Sequence, residues 1–169
     1  MFTKRGTEQL IRSCRPKFFA DVMLGSLAKW LRILGYDTAY DNRISDDQLI
    51  DRCRAQNRIA LTRDGRLMER RQLSCSLFIE SEDLFEQIQE VLNFLGEEVD
   101  PARLLSRCVE CNAALESVSR QAARGKVPSY VFKTQLHFKQ CPDCDRIYWG
   151  GTHRDDIYER LRGLTKEEQ

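Results

Sequence analysis

The residues of this sequence best suited to chemistry are three aspartates and four cysteines. Asp21 closes the apolar run Phe18-Phe19-Ala20 and opens a helical stretch, Asp46 begins a second helix, and Asp64 ends Leu61-Thr62-Arg63-Asp64. Carboxylates are hard donors, and Mg²⁺ or Mn²⁺ takes a few of them together with waters and phosphate oxygens. Each aspartate also has a plainer reading. Asp21 can cap its helix, Asp46 and Asp47 lie in a first turn where carboxylates are favoured, and Asp64 can be an ordinary turn residue. Asp47 and Asp83 are the candidates for a fourth acid. Thr62 can hydrogen-bond a site carboxylate or simply fill a strand.

Four of the seven cysteines form the pairs Cys108-x-x-Cys111 and Cys141-x-x-Cys144. Two such turns, each supplying two thiolates, close a tetrahedron around one Zn²⁺. With no position left open, that zinc is structural. A redox dithiol occurs once per thioredoxin-like unit, so the doubling argues against it. Cys14, Cys53 and Cys75 are scattered and read as small hydrophobes. Around the second pair, Lys139, Arg146, Tyr148, Trp149, His153 and Arg154 suit phosphates and bases. Equally, Tyr148 and Trp149 can pack the ribbon.

Elements must bring these groups together. Phe18 to Leu24 reads as a strand running into a helix with Leu24, Leu27, Leu31 and Leu34 on one side, ended by Gly35. Tyr36 to Tyr40 is a strand, and Ser45 opens a helix with Gln48 as capping-box partner. Ile59 to Thr62 is the next strand, then a short helical piece at Leu67 and Met68, then the strand Ser76 to Ile79. Leu84, Ile88, Val91, Leu92 and Leu95 make an amphipathic helix that Gly96 ends. The alternation predicts a parallel sheet with helices on both faces. Its carboxyl edge is where ligands bind. Past Asp100-Pro101 the reading is short strands (Tyr130 to Phe132, Leu136 to Phe138) and a last amphipathic helix with Ile157, Leu161 and Leu164. The expected division is a polar extension (1–16), an α/β domain (17–100) and a zinc ribbon with its helix (101–169).

Net charge is +1, so bulk charge does not announce a partner. Its distribution says more. From Arg52 to Arg71 seven arginines stand against two acidic residues. Lys29, Arg32, Arg63, Arg66, Arg70 and Arg71, with Trp149 and His153, are the candidates for holding a phosphodiester substrate. A solvated helix face is the commoner explanation of any charge run. No apolar run approaches the roughly 18–20 residues of a membrane-spanning helix, and the N-terminus lacks a signal peptide's apolar centre. A cytoplasmic location without a membrane partner is expected.

The phrase Met23-Leu24-Gly25-Ser26-Leu27-Ala28-Lys29-Trp30-Leu31-Arg32-Ile33-Leu34-Gly35-Tyr36-Asp37, the element Leu61-Thr62-Arg63-Asp64, and both cysteine pairs with Tyr148-Trp149-x-Gly151-Thr152-His153 resemble the Mut-seven C-terminal RNase family. The resemblance covers roughly residues 17 to 162. It implies a PIN-like three-layer α/β/α nuclease domain followed by a zinc ribbon, and metal-dependent cleavage of RNA. Asp21, Asp46 and Asp64 match the family's acidic positions. One or two Mg²⁺ or Mn²⁺ ions would activate water, leaving a 5′-phosphate and a 3′-hydroxyl. The only histidines, His137 and His153, offer little to a histidine-driven reaction. The alternative is a non-catalytic RNA-binding or ribosome-associated module; a toxin paired with a protein partner is a weaker third reading.

Overall fold

The computed structural model describes residues 16–73 and 75–150. The N-terminal extension, the expected last helix and His153 lie outside the described residues. The described chain divides into two units, one of residues 16–31 and 36–98, the other of residues 32–35 and 99–150.

In the first unit, β1 (Lys17–Ala20), β2 (Asp37–Tyr40), β3 (Arg58–Thr62) and β4 (Ser76–Phe78) form a parallel sheet in the order β2-β1-β3-β4. Phe18 and Phe19 project to opposite faces, yet both are essentially inaccessible. A parallel sheet buried on both sides is what the unbroken apolar run predicts. Register places Phe19 between Ala39 and Ala60. Over these, α2 (Asp46–Gln56) lays Leu49, Ile50 and Cys53, and α3 (Gly65–Met68) adds Leu67. On the other side Phe18 meets Tyr36 edge-on at 5.9 Å. Trp30 of α1 (Gly25–Ile33) meets Phe85 of α4 (Leu84–Leu95) at 5.6 Å. Right-handed crossovers from β1 to β2 and from β2 to β3 require α1 and α2 to lie on opposite faces.

The boundary chemistry is as expected. Ser45 and Gln48 form a reciprocal capping box, and Gly96 ends α4 at φ 63. The amino edge of the sheet is pinned by one arginine of the basic run: Arg58 Nη1 donates to Asp37 Oδ1 at 2.6 Å and to the Phe18 carbonyl at 3.1 Å. That single side chain ties three adjacent strands.

The second unit is built on an antiparallel sheet, β5 (Glu116–Val118), β6 (Phe138–Gln140) and β7 (Ile147–Trp149), in that order. Between β5 and β6 come α5 (Arg120–Ala123) and α6 (Ser129–Thr134). The expected strand at Tyr130 to Phe132 is corrected here: those residues are the middle of α6. Pro128 precedes the helix, and the Phe132 amide donates back to the Pro128 carbonyl at 3.0 Å. Only Val131 of the three is buried, against Ala123 and Phe138. The aromatic and β-branched triplet suggested a strand, but packing overrode propensity. The second expected strand starts only at Phe138, leaving Leu136 and His137 exposed ahead of it.

Candidate active site and metal centre

Asp21 is the first residue after β1 and Asp64 the second after β3, and those strands pair directly with Ala20 opposite Leu61. The Asp21 amide extends the ladder, donating to the Leu61 carbonyl at 2.9 Å. Connections diverge at this point, since β1 leads out to β2 and β3 leads out to β4. An open parallel sheet leaves its ligand crevice at such a switch point.

One side chain joins the two acids there. The Thr62 hydroxyl donates to Asp21 Oδ2 at 2.8 Å and accepts from the Asp64 amide at 2.9 Å. Thr62 is wholly buried and Asp21 is 6% exposed. Asp21 Oδ1 accepts from the Val22 amide at 2.6 Å, and Asp64 Oδ1 accepts from the Arg66 amide at 2.8 Å. Both aspartates therefore cap the turns that follow them, as the plainer reading held, and also share a threonine.

The remaining acids lie beyond the same sheet edge. Asp46, in the first turn of α2 beyond β2, is exposed, and its carboxylate makes no hydrogen bond or ion pair among the described residues. Asp47 is held by Arg70 at 2.5 Å. Asp83, beyond β4, caps α4 by accepting from the Phe85 and Glu86 amides. Of the candidate cations, Arg63 pairs with Glu82 at 2.9 Å, while Arg66 and Arg71 are exposed and unpaired among the described residues. Lys29 is exposed on α1. Trp149 is half-buried, packed on the Ala123, Val131 and Phe138 cluster. It also lines a groove of about 680 Å³ with Tyr148, the cations Lys126 and Arg146 and the acids Glu110 and Asp145.

Arg32 is different. It is buried, and Nη1 donates to the carbonyls of Val109 and Glu110, both at 2.8 Å. Those carbonyls belong to the first cysteine turn. The sequence suggested a substrate cation at this position, and the guanidinium is instead committed to holding a metal knuckle in shape.

The two knuckles have matching backbones. The residue after each pair, Asn112 or Asp145, adopts the left-handed conformation at φ 71 or 60. Its amide returns to the carbonyl of the first cysteine, Asn112 to Cys108 at 3.0 Å and Asp145 to Cys141 at 3.1 Å. Asn and Asp tolerate that conformation better than other side-chain-bearing residues. The four Sγ atoms all lie within 4.8 Å of one another, with Cys108 and Cys144 at 3.6 Å and Cys111 and Cys141 at 3.2 Å. A zinc tetrahedron with bonds of about 2.3 Å spaces its sulfurs about 3.8 Å apart. The cluster could thus hold a structural metal such as zinc. Among the described residues it is the one set of three or more such ligands at this spacing, which Asp21, Asp46 and Asp64 do not reach.

Electrostatics favour a cation at the cluster. Burial pushes the Cys108 thiol up, but the Tyr148 hydroxyl and the amides of Cys111 and Glu110 outweigh it and bring it down to about 6. Burial, aided by the neighbouring sulfurs, pushes Cys111 up to about 12. Four adjacent thiols cannot all ionise against one another without a positive charge between them. Tyr148, whose hydroxyl lies 3.1 Å from Cys108 Sγ and accepts from the Val109 amide at 3.1 Å, is the contact that sequence reasoning treated only as packing or base contact. Its place a few residues beyond Cys144 was the available signal.

The family model for the Mut7-C RNAse domain matches residues 16–161. No curated protein and no solved structure matches the chain. No helix among the described residues is long and apolar enough to cross a membrane.

Proposed function

Since the chain belongs to the Mut7-C RNAse domain family, which makes its function nuclease-type and RNA its substrate class, we propose that it hydrolyses RNA phosphodiester bonds at a PIN-like acidic site. The observation that carries this is the pair Asp21 and Asp64, joined through Thr62 at the switch point of the parallel sheet. A sheet covered on both faces supports the three-layer PIN-like reading of residues 17–100, with residues 101–169 as the ribbon.

Asp21, Asp46 and Asp64 would hold Mg²⁺ or Mn²⁺. The donor chemistry fits: all are hard oxygens, Asp46 has no other partner, and Asp64 keeps Oδ2 free among the described residues. Octahedral bonds of about 2.1 Å put direct ligands at most about 4.2 Å apart, so at their wider spacing some of these acids would act through waters bound to the ion. Such a cation, when bound, lowers the pKa of a water and neutralises charge on the phosphate. The chain's own residues do the rest. Thr62 fixes the Asp21 carboxylate, while Arg66, Arg71 and Lys29 supply cations for the phosphates. Arg70 holds Asp47 as an ion pair, which favours Asp83 as the fourth acid.

Cleavage of a labelled RNA with Mn²⁺, with and without EDTA, tests the proposal. Asp21→Asn, Asp46→Asn and Asp64→Asn should each abolish cleavage while leaving the circular dichroism spectrum unchanged. Full activity in all three would remove the assignment. RNA bound but never cut would favour the non-catalytic binding module.

A further inference from the structure

The stretch between the two cysteine pairs belongs neither to the acidic site nor to the metal centre. It runs from β5 through α5 and α6 to β6, inside the second unit. Between Glu116 and Asp143 the sequence has no acidic residue, although the whole chain balances 26 acidic against 27 basic residues. The same stretch carries Arg120, Arg124, Lys126, Lys133 and Lys139. Two of these are engaged within the unit. Lys139 Nζ donates to the Leu105 carbonyl at 3.0 Å, and Arg120 lies over the Phe132 ring at 4.8 Å while donating to its carbonyl. Arg124, Lys126 and Lys133 are exposed and make no ion pair among the described residues.

The local fold accounts for this face. Ala123, Val131 and Phe138 turn inward to form the small core. Tyr130 and Lys133, three residues apart, therefore share the outer side of α6. Tyr130 is 69% exposed, in a unit with few large residues to bury. An open ring beside an unpaired cation on one side of an ordered helix, with two more unpaired cations in the connection ahead of it, is the combination that single-stranded nucleic acid uses: cations track phosphates and the ring stacks a base. A lipid surface would ask for a longer apolar face than a six-residue helix offers.

We propose that this insert is a docking surface for single-stranded RNA, with Arg124, Lys126 and Lys133 on phosphates and Tyr130 under a base. The proposal rests on RNA being the substrate class and adds a contact surface to the acidic site. Its test uses the full chain carrying Asp21→Asn, so that bound RNA survives, and a labelled RNA of about 12 nucleotides, within the span such surfaces cover. Binding is followed by fluorescence anisotropy across a salt series. Each phosphate contact contributes about 0.7 to the slope of log affinity against log salt. Replacing Arg124, Lys126 and Lys133 together by Gln should lower that slope by about 2. Tyr130→Ala should weaken binding roughly tenfold with the slope unchanged. Unchanged metal content in each variant shows that the unit still folds.

Wild-type slope and affinity in both variants, while the chain with Asp21 intact still cuts RNA, would overturn this surface and leave the nuclease reading standing. A chain that neither binds nor cuts RNA would remove both. Anionic vesicles bound in preference to RNA would also sink the proposal, assigning the face to lipid.

Discussion

Thr62 has one hydroxyl and no exposed surface, yet that hydroxyl serves both acids of the switch point. Thr62→Val keeps the shape and strips Asp21 Oδ2 of its donor. An unsatisfied buried acceptor costs about 1–3 kcal/mol, so the urea midpoint should fall. If Asp21 holds the catalytic ion, loosening such a supporting partner should also cost about 10–100-fold in cleavage rate. Thr62→Ser restores the hydroxyl and should recover most of the rate; failure to recover would mean that the methyl packing matters instead. Cys53 gives a pH test of the same core. Burial pushes its thiol from 9.0 up to about 12. Below the unfolded value both states are protonated and the contribution is complete. Above it the unfolded chain ionises first, so stability falls as pH rises from about 9 toward about 12. Urea midpoints measured across that range should fall less in Cys53→Ala, which cannot ionise, than in the wild type.

At the scale of elements, the turn after Asp21 depends on a glycine. A Cβ on Gly25 would come within 2.7 Å of the Tyr40 hydroxyl, which donates to the Val22 carbonyl at 3.1 Å. Gly25 has helical dihedrals, so Gly25→Ala gains about 0.4–1 kcal/mol by restricting the unfolded chain, offset by the lost hydrogen bond as Tyr40 swings outward. The expected result is a nearly unchanged urea midpoint with cleavage reduced several-fold. Tyr40→Phe should show the same fall without the clash; full activity in Tyr40→Phe would show that the hydrogen bond is dispensable. Elements of the first unit were legible because β1 and β3 hold apolar runs closed by aspartates, and α2 and α4 carry apolar stripes with caps at both ends. The insert was not, because Tyr130-Val131-Phe132 has strand-like residues whose helix is set by Pro128 and by burial of Val131. The positions of Asp21 and Asp64 just past β1 and β3 were legible from the apolar runs ahead of them. The fates of Arg32 and Arg58 were not, since only the folded chain shows which carbonyls a guanidinium reaches.

For the molecule as a whole, the two units should answer differently to loss of metal. The first has a sheet buried on both faces, with Phe18, Phe19, Leu27, Leu31, Leu61 and Ile88 all at 1% exposure or less. Burying such side chains contributes about 1.5–3 kcal/mol each. The second has three-residue strands and a buried cluster of Ala123, Val131 and Phe138. Cores that small need a staple. Metal binding would then supply much of the second unit's folding free energy, and stripping it should unfold that unit first. The measurement is amide hydrogen exchange before and after a strong zinc chelator. Amides of β5, β6 and β7 and of both knuckles should lose protection, while β1 to β3 keep theirs. Four thiols should become reactive at the same time, and added Zn²⁺ should reverse both changes. Acid should act as the chelator does, because protons compete with the metal for the thiolates. Protection that persists in the second unit after the metal is gone would mean that its hydrogen bonds, the Arg32 clamp and the Tyr148 contact among them, suffice to hold the knuckles.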